Sequence, residues 1–181
     1  MRLYHYTIGL ARAYPLIILC SCMISYFLTT DPKSLMLGLF LFVNDCINNV
    51  LKYIIMKPLF GNKVFGFLGK RPSGAKNCGY FINPNENLSN SYGMPSGHSQ
   101  SATFFSTYII MKLLDSNISL NVKIFASILL VSLALGIMYS RVYLKCHTIP
   151  QVIIGGLIGA ILGKLYYQNE GTIINILCES S

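Results

Sequence analysis

Charge is what this sequence has least of. Charged residues make up 11% of the 181, against roughly a quarter in an average soluble domain. Acidic residues are the scarcer sign, six against fourteen Lys and Arg, so no carboxylate cage for a hard cation is visible and no metal or cofactor is expected. The six cysteines form no CxxC pair and have no Cys/His spacing suited to zinc. Basic residues never gather into a dense run, which argues against a nucleic-acid partner. Internal repeats and low-complexity tracts are missing too. These absences exclude a disordered chain and argue against an ordinary soluble domain. What is present is a positive mean hydropathy and 53% hydrophobic residues, arranged in blocks.

A helix needs about 17–25 apolar residues to cross a hydrocarbon core of about 30 Å. Blocks of that size predict an all-α, polytopic membrane bundle of about five transmembrane helices, over residues 14–30, 34–56, 95–114, 122–140 and 147–167, in a single integral membrane domain spanning 1–181. The single Lys and Arg residues at block edges suit the anionic bilayer surface, so lipid is the expected partner. Asp31-Pro32-Lys33 marks the first turn, because proline stops a helix and the charges prefer water. The first block is too long for a signal-peptide core and lacks a clear small-residue cleavage site. Residues 57–94, rich in Gly, Pro, Asn and Ser, read as one long loop, and a polar tail is expected from Gln168. Gly155, Gly156, Gly159 and Gly163 would let helices approach closely.

Five crossings put alternate helix ends on alternate faces, and three polar clusters then fall on one face. The first is Asp45, Asn48 and Lys52, spaced to share a helix face, followed across the loop by Arg71-Pro72. A charge facing lipid costs at least about 2.5–3.5 kcal/mol, so this stripe must face protein or a wet cavity. A structural network in which Asp45 neutralises Lys52 is the alternative. The second cluster is Tyr92-Gly93-Met94-Pro95-Ser96-Gly97-His98-Ser99-Gln100, at the start of a helix. Ser96 suits the cap, first-turn N–H groups bind anions, Gly97 lets a phosphate approach the backbone, and His98 can give a proton to a leaving oxygen. A capped helix with an incidental histidine is the alternative here. The third cluster is Ser140-Arg141, then His147 and Gln151. The Gln151 amide, four residues on, can accept from one imidazole N–H and leave the other nitrogen free to attack; a satisfied interfacial histidine is the alternative.

Arg71-Pro72, Pro95-Ser96-Gly97-His98, and Ser140-Arg141 with five residues between Arg141 and His147 resemble the three-part signature of the type 2 phosphatidic acid phosphatase superfamily, the metal-independent membrane lipid phosphatases. Tyr92 to Gln100, Ser140 to Val152, and Asn44-Asp45 with Asn48 before Lys52 are most similar to its dolichyl-diphosphatase branch. Two positions depart from the superfamily pattern. Eighteen residues separate Lys52 from Arg71, where the family has six, so Lys52 is assigned by its helix context over Lys63 and Lys70. Gln151 stands where most of the superfamily has aspartate, and is read as a mark of the branch.

The resemblance implies that His147 attacks phosphorus to form a phosphohistidine while His98 protonates the departing oxygen and Gln151 orients His147. Lys52, Arg71, Arg141, Ser96 and Gly97 would bind the phosphoryl group. It implies a membrane hydrolase acting on a lipid phosphate or polyprenyl diphosphate. Phosphatidate or another lipid monophosphate is the alternative substrate, and a non-catalytic lipid-phosphate-binding protein the alternative of another class. The residues leave orientation open. Most Lys and Arg fall on the active face, which positive-inside logic makes cytoplasmic, whereas the resemblance implies a lumenal site in the endoplasmic reticulum or another internal membrane. The sequons Asn87-Leu88-Ser89 and Asn117-Ile118-Ser119 fall on opposite faces and do not decide it. Cys78 and Cys146 flank the polar clusters, where a disulfide is conceivable.

Overall fold

The computed structural model describes residues 2–61, 68–81, 88–89 and 91–179. Among them the regular structure is helical: α1 (Arg2–Thr29), α2 (Pro32–Val50), α3 (Lys57–Phe60), α4 (Gly97–Asp115), α5 (Leu120–Tyr143) and α6 (Ile149–Glu179). A π-helical stretch, Leu51–Met56, joins α2 to α3 without a break. Lys63 lies outside the described residues, as does Asn87 of the first sequon.

Among the described residues, four segments are long and apolar enough to cross a membrane: Tyr6–Thr29, Pro32–Phe60, Leu120–Tyr143 and Ile149–Ile176. The fifth expected crossing, α4, is less apolar because it is the central helix. It packs against α1, α2, α5 and α6, and its buried face carries Ser99, Gln100, Ser101 and Ser106. A helix surrounded by protein need not be lipid-compatible. By contrast α5 exposes Phe125, Ile128, Leu129 and Leu135, as a lipid-facing helix should.

The closest contact in the bundle is between α4 and α6, and glycine makes it possible. A Cβ at Gly155 would lie 2.5 Å from the Ser96 carbonyl oxygen, one at Gly159 2.0 Å from that of Gln100, and one at Gly163 2.4 Å from that of Phe104. Both series step by four residues, so successive turns of the two helices meet backbone to backbone. The Thr103 hydroxyl donates to the Gly156 carbonyl at 2.7 Å across the same contact. Around this seam pack Tyr14, Ile18, Leu37, Leu41, Phe104 and Tyr166, with Phe40 stacked on Tyr166.

Two helix ends differ from the sequence expectation. α6 runs on through the expected polar tail to Glu179, since Glu170 is buried and bonded by the Tyr108 hydroxyl and the Lys112 ammonium of α4. A paired carboxylate removes the reason for the helix to stop in water. α1 begins at Arg2 and contains Pro15, so Arg12, which lies before the crossing expected over 14–30, sits inside the helix and is buried. The start of the expected long loop, Lys57–Phe60, is also helical.

Candidate active site

The site is built at the end of the bundle where α2 gives way to its π-helical stretch, α4 begins, and α5 hands over to α6. Ser96 caps α4, its Oγ accepting from the Ser99 amide at 3.5 Å and the Ser99 hydroxyl at 2.9 Å, and its carbonyl accepting from the Gln100 amide. The Ser96 amide is held by the Gln151 carbonyl at 3.1 Å. That leaves the Gly97 and His98 amides as first-turn donors with no acceptor among the described residues. Such a helix start favours an anion.

On α2 the buried polar stripe is Asn44, Asn48 and Lys52, each four residues from the next. Gln100 of α4 locks it in place: its Nε2 donates to the Asn44 carbonyl and side-chain oxygens at 2.9 and 3.0 Å, and its Oε1 accepts from Asn48 Nδ2 at 2.7 Å. Asp45, expected on that stripe, lies at its half-exposed edge and accepts from the Tyr80 hydroxyl at 2.9 Å. It makes no ion pair with Lys52; among the described residues the ion pair is Lys112–Glu170, at the far end of α4. Lys52 itself occupies the π-helical stretch, buried, a local geometry that often marks functional positions.

His147 has both ring nitrogens engaged. Nδ1 lies 3.2 Å from Gln151 Oε1 and Nε2 lies 3.0 Å from Arg71 Nη1. The network fixes the tautomer. Gln151 Nε2 donates to the Gly69 and Lys70 carbonyls at 3.2 and 2.8 Å, so its Oε1 is the atom facing His147 and must accept. Guanidinium can only donate, so His147 carries its proton on Nδ1 and presents a lone pair on Nε2. Gly93 makes room for this amide, since a Cβ there would sit 2.7 Å from Gln151 Nε2. Burial first, then the charges of Arg71, Arg141 and Lys52, hold His147 well below the ordinary histidine range.

His98 is oriented differently. Its Nε2 lies 2.8 Å from the Arg12 carbonyl of α1, an acceptor only, so Nε2–H donates and Nδ1 remains for other chemistry. The partner lies in a turn disturbed by Pro15, which lacks an N–H and crowds the carbonyls preceding it. The Tyr80 ring packs against His98 at 5.4 Å.

Two arginines complete the arrangement. Arg71 donates through Nε and Nη2 to Ser91 and through Nη1 to the Cys146 carbonyl at 2.8 Å; burial pushes it down to about 10, still cationic at neutral pH. Arg141, with no exposed surface, donates from Nη2 to the Cys78 carbonyl at 2.6 Å, while its Nε and Nη1 have no partner among the described residues. Cys78 and Cys146 form a disulfide. Every site residue expected from the sequence is therefore in this region: His147, His98, Gln151, Lys52, Arg71, Ser96, Gly97 and Arg141. Sequence reasoning missed Ser91, which anchors Arg71, the Gln100 clasp on α2, and Arg12. Lys70 contributes its backbone carbonyl to Gln151 and its side chain to a pocket beside Arg71, with Tyr53 and Lys57.

Among the described residues, Lys52, Arg71 and Arg141 gather at this end of the bundle, and the Asp45 carboxylate is already bonded by Tyr80, so the arrangement is cationic and suits an anion. Among the described residues no three His, Cys, Asp or Glu gather as a metal site.

Comparison with known proteins identifies the family. The PAP2 superfamily pattern matches residues 33–174. Dolichyldiphosphatase of Saccharomyces cerevisiae is 31% identical over 163 residues, covering 88% of this chain and 61% of the yeast protein. Dolichyldiphosphatase 1 of Dictyostelium discoideum is 32% identical over 166 residues, covering 88% of this chain and 63% of its own. Lipid phosphate phosphatase gamma of Arabidopsis thaliana is 40% identical over 87 residues, covering 46% and 38%. The chain thus spans less than two thirds of the length of these relatives, and no solved structure matches it. With the matched region spanning α2 to α6 and enclosing all three polar clusters, the chain belongs to the PAP2 superfamily.

Proposed function

We propose that the chain is a metal-independent membrane phosphatase that removes the terminal phosphate of a polyprenyl diphosphate, acting as one integral membrane domain over 1–181. The observation that carries the reading is the His147 ring: Nδ1 anchored on Gln151, Nε2 bearing a lone pair, and cations on the side it faces. His147 Nε2 attacks the terminal phosphorus, and the bond from phosphorus to the bridging oxygen breaks. That oxygen takes a proton from Nδ1 of His98, which acquires it from solvent when the negative charge of the diphosphate binds beside it, while Nε2–H stays on the Arg12 carbonyl. Water then attacks the phosphohistidine, giving its proton back to His98 and returning the electron pair to His147. Inorganic phosphate leaves.

Phosphoryl transfer needs positive charge and N–H donors around the equatorial oxygens. Lys52, Arg71, Arg141, the Ser96 hydroxyl and the Gly97 amide supply them, and a phosphoryl oxygen would take over the Arg71 Nη1–H now on His147. Each such donor is worth about 10²–10³ in turnover in comparable sites. The dolichyldiphosphatase relatives favour a polyprenyl diphosphate; those named lipid phosphate phosphatases keep a lipid monophosphate as a second reading. The disulfide between two residues of the active face supports an oxidising compartment for that face, hence the lumen of the endoplasmic reticulum or another internal membrane. The test is phosphate release from a panel of lipid mono- and diphosphates in detergent with chelator present. Activity lost in chelator and restored by magnesium would contradict the mechanism.

A further inference from the structure

Arg12 belongs to none of the three motifs, and its surroundings are unusual. It lies within a membrane-spanning helix, is 8% exposed, and its Nε is buried without a partner among the described residues. Its own carbonyl holds His98, and Arg141, whose Nε and Nη1 are also unpartnered among the described residues, lies in the last turn of α5, a helix that packs against α1. Two buried guanidiniums on packed helices carry an electrostatic cost that an anion bound between them would offset. The two histidines define a direction. In an in-line transfer the nucleophile and the departing oxygen lie on opposite sides of the attacked phosphorus. Arg71 stands on the His147 side, bonded to its Nε2, whereas Arg12 stands on the His98 side, where the leaving group departs. A groove of about 320 Å³ lies between α1 and α5. Ala11 and Ser140, neighbours in the chain of Arg12 and Arg141, line it together with Ile8, Gly136 and Tyr139.

We propose that Arg12 and the unpartnered edge of Arg141 form a second phosphate subsite, which holds the lipid-linked leaving phosphate of a diphosphate substrate, the hydrocarbon chain running out along the α1–α5 groove. The proposal rests on the phosphatase reading above and adds to it a basis for choosing diphosphate over monophosphate. The departing group is then a lipid monophosphate, whose developing charge Arg12 stabilises while His98 delivers the proton.

The test compares kcat/KM for a polyprenyl diphosphate and the monophosphate of the same chain, using the full-length chain in detergent, with wild type, Arg12→Gln and Arg12→Lys. The ratio of diphosphate to monophosphate kcat/KM is expected to fall about tenfold or more in Arg12→Gln, the scale of losing a buried charge contact, with partial recovery in Arg12→Lys. The His98 contact survives both changes because it uses the backbone. An equal fall on both substrates overturns the subsite. A wild type that hydrolyses neither overturns the phosphatase reading instead, and the subsite is then read by binding. A lipid methylenebisphosphonate should bind wild type more tightly than the matching monophosphonate, and Arg12→Gln should erase that preference. A preference left intact overturns the proposal.

Discussion

The disulfide partners Cys78 and Cys146 each present a backbone carbonyl to a site arginine: that of Cys146 accepts from Arg71, and that of Cys78 from Arg141. One covalent link therefore sets both guanidinium positions, and it ties the 68–81 segment to the residue before His147. The disulfide closes a covalent ring with a sequence separation of 68, which contains α4 and α5; constraining a ring of that length in the unfolded chain contributes roughly 4 kcal/mol to stability.

Reduction should act on the site as well as on stability. Cys78→Ser/Cys146→Ser is expected to raise KM for the lipid phosphate at least several-fold while lowering the melting temperature. Steady-state kinetics with thermal unfolding, in detergent, checks this. An unchanged KM at temperatures where the variant is folded would separate the disulfide from arginine placement.

Lys52→Ala is expected to lower kcat/KM by about 10²-fold, as for other phosphoryl-oxygen donors. Lys70→Ala should cost far less, because Lys70 serves Gln151 through its carbonyl. A larger loss in Lys70→Ala would move the first motif from the helix to the loop.

Gln151→Ala should reduce turnover less than loss of either histidine, since ring orientation alone is affected. Gln151→Asp should not restore it. A carboxylate there has no N–H for the Gly69 and Lys70 carbonyls, and its negative oxygens would face them. Kinetics of the two variants against wild type decides it. An aspartate variant as active as wild type would mean the two carbonyls are dispensable.

His147 should remain neutral through the pH range in which an ordinary histidine, near 6.5, takes up a proton. Because the unfolded chain binds that proton and the native chain does not, this group contributes stability that is lost as pH falls below about 6.5. The check is an NMR titration of the ligand-free protein with ¹⁵N-labelled histidine, the resonance assigned by its absence in His147→Gln. A midpoint at or above 6.5 would contradict the burial and charge argument.

The α4–α6 seam predicts opposite signs for two glycine changes. Gly159→Ala places a Cβ against the Gln100 carbonyl and should destabilise by about 1–3 kcal/mol or more. Gly171→Ala meets nothing within 4 Å and should stabilise by about 0.5–1 kcal/mol. Thermal unfolding of both in one detergent tests the seam.

The bundle was legible because lipid imposes a simple rule on length and apolarity, and the motif residues because phosphate chemistry demands cations, a histidine pair and a helix start. α4 shows where that rule weakens: a central helix can hold Gln100 and three buried serines. Arg12 falls outside the crossing expected over 14–30 because hydropathy reports a charge but not the protein that buries it. Asn44 was passed over for Asp45 for a related reason, since spacing defines a helix face only to within one neighbouring position. Ser91 gave no signal, its role depending on a loop that folds back onto Arg71.

The central claim is that His147 Nε2 is the nucleophile, and rapid-quench trapping of labelled phosphoenzyme tests it most directly. Wild type, incubated with diphosphate labelled in its terminal phosphate, should yield an acid-labile, base-stable phosphohistidine at residue 147. His98→Ala should lose turnover on the lipid but regain part of it on an aryl phosphate, whose leaving oxygen needs less help from an acid. His147→Ala should trap nothing on either substrate. A phosphohistidine recovered from His147→Ala would contradict the account, and its position would show which residue attacks.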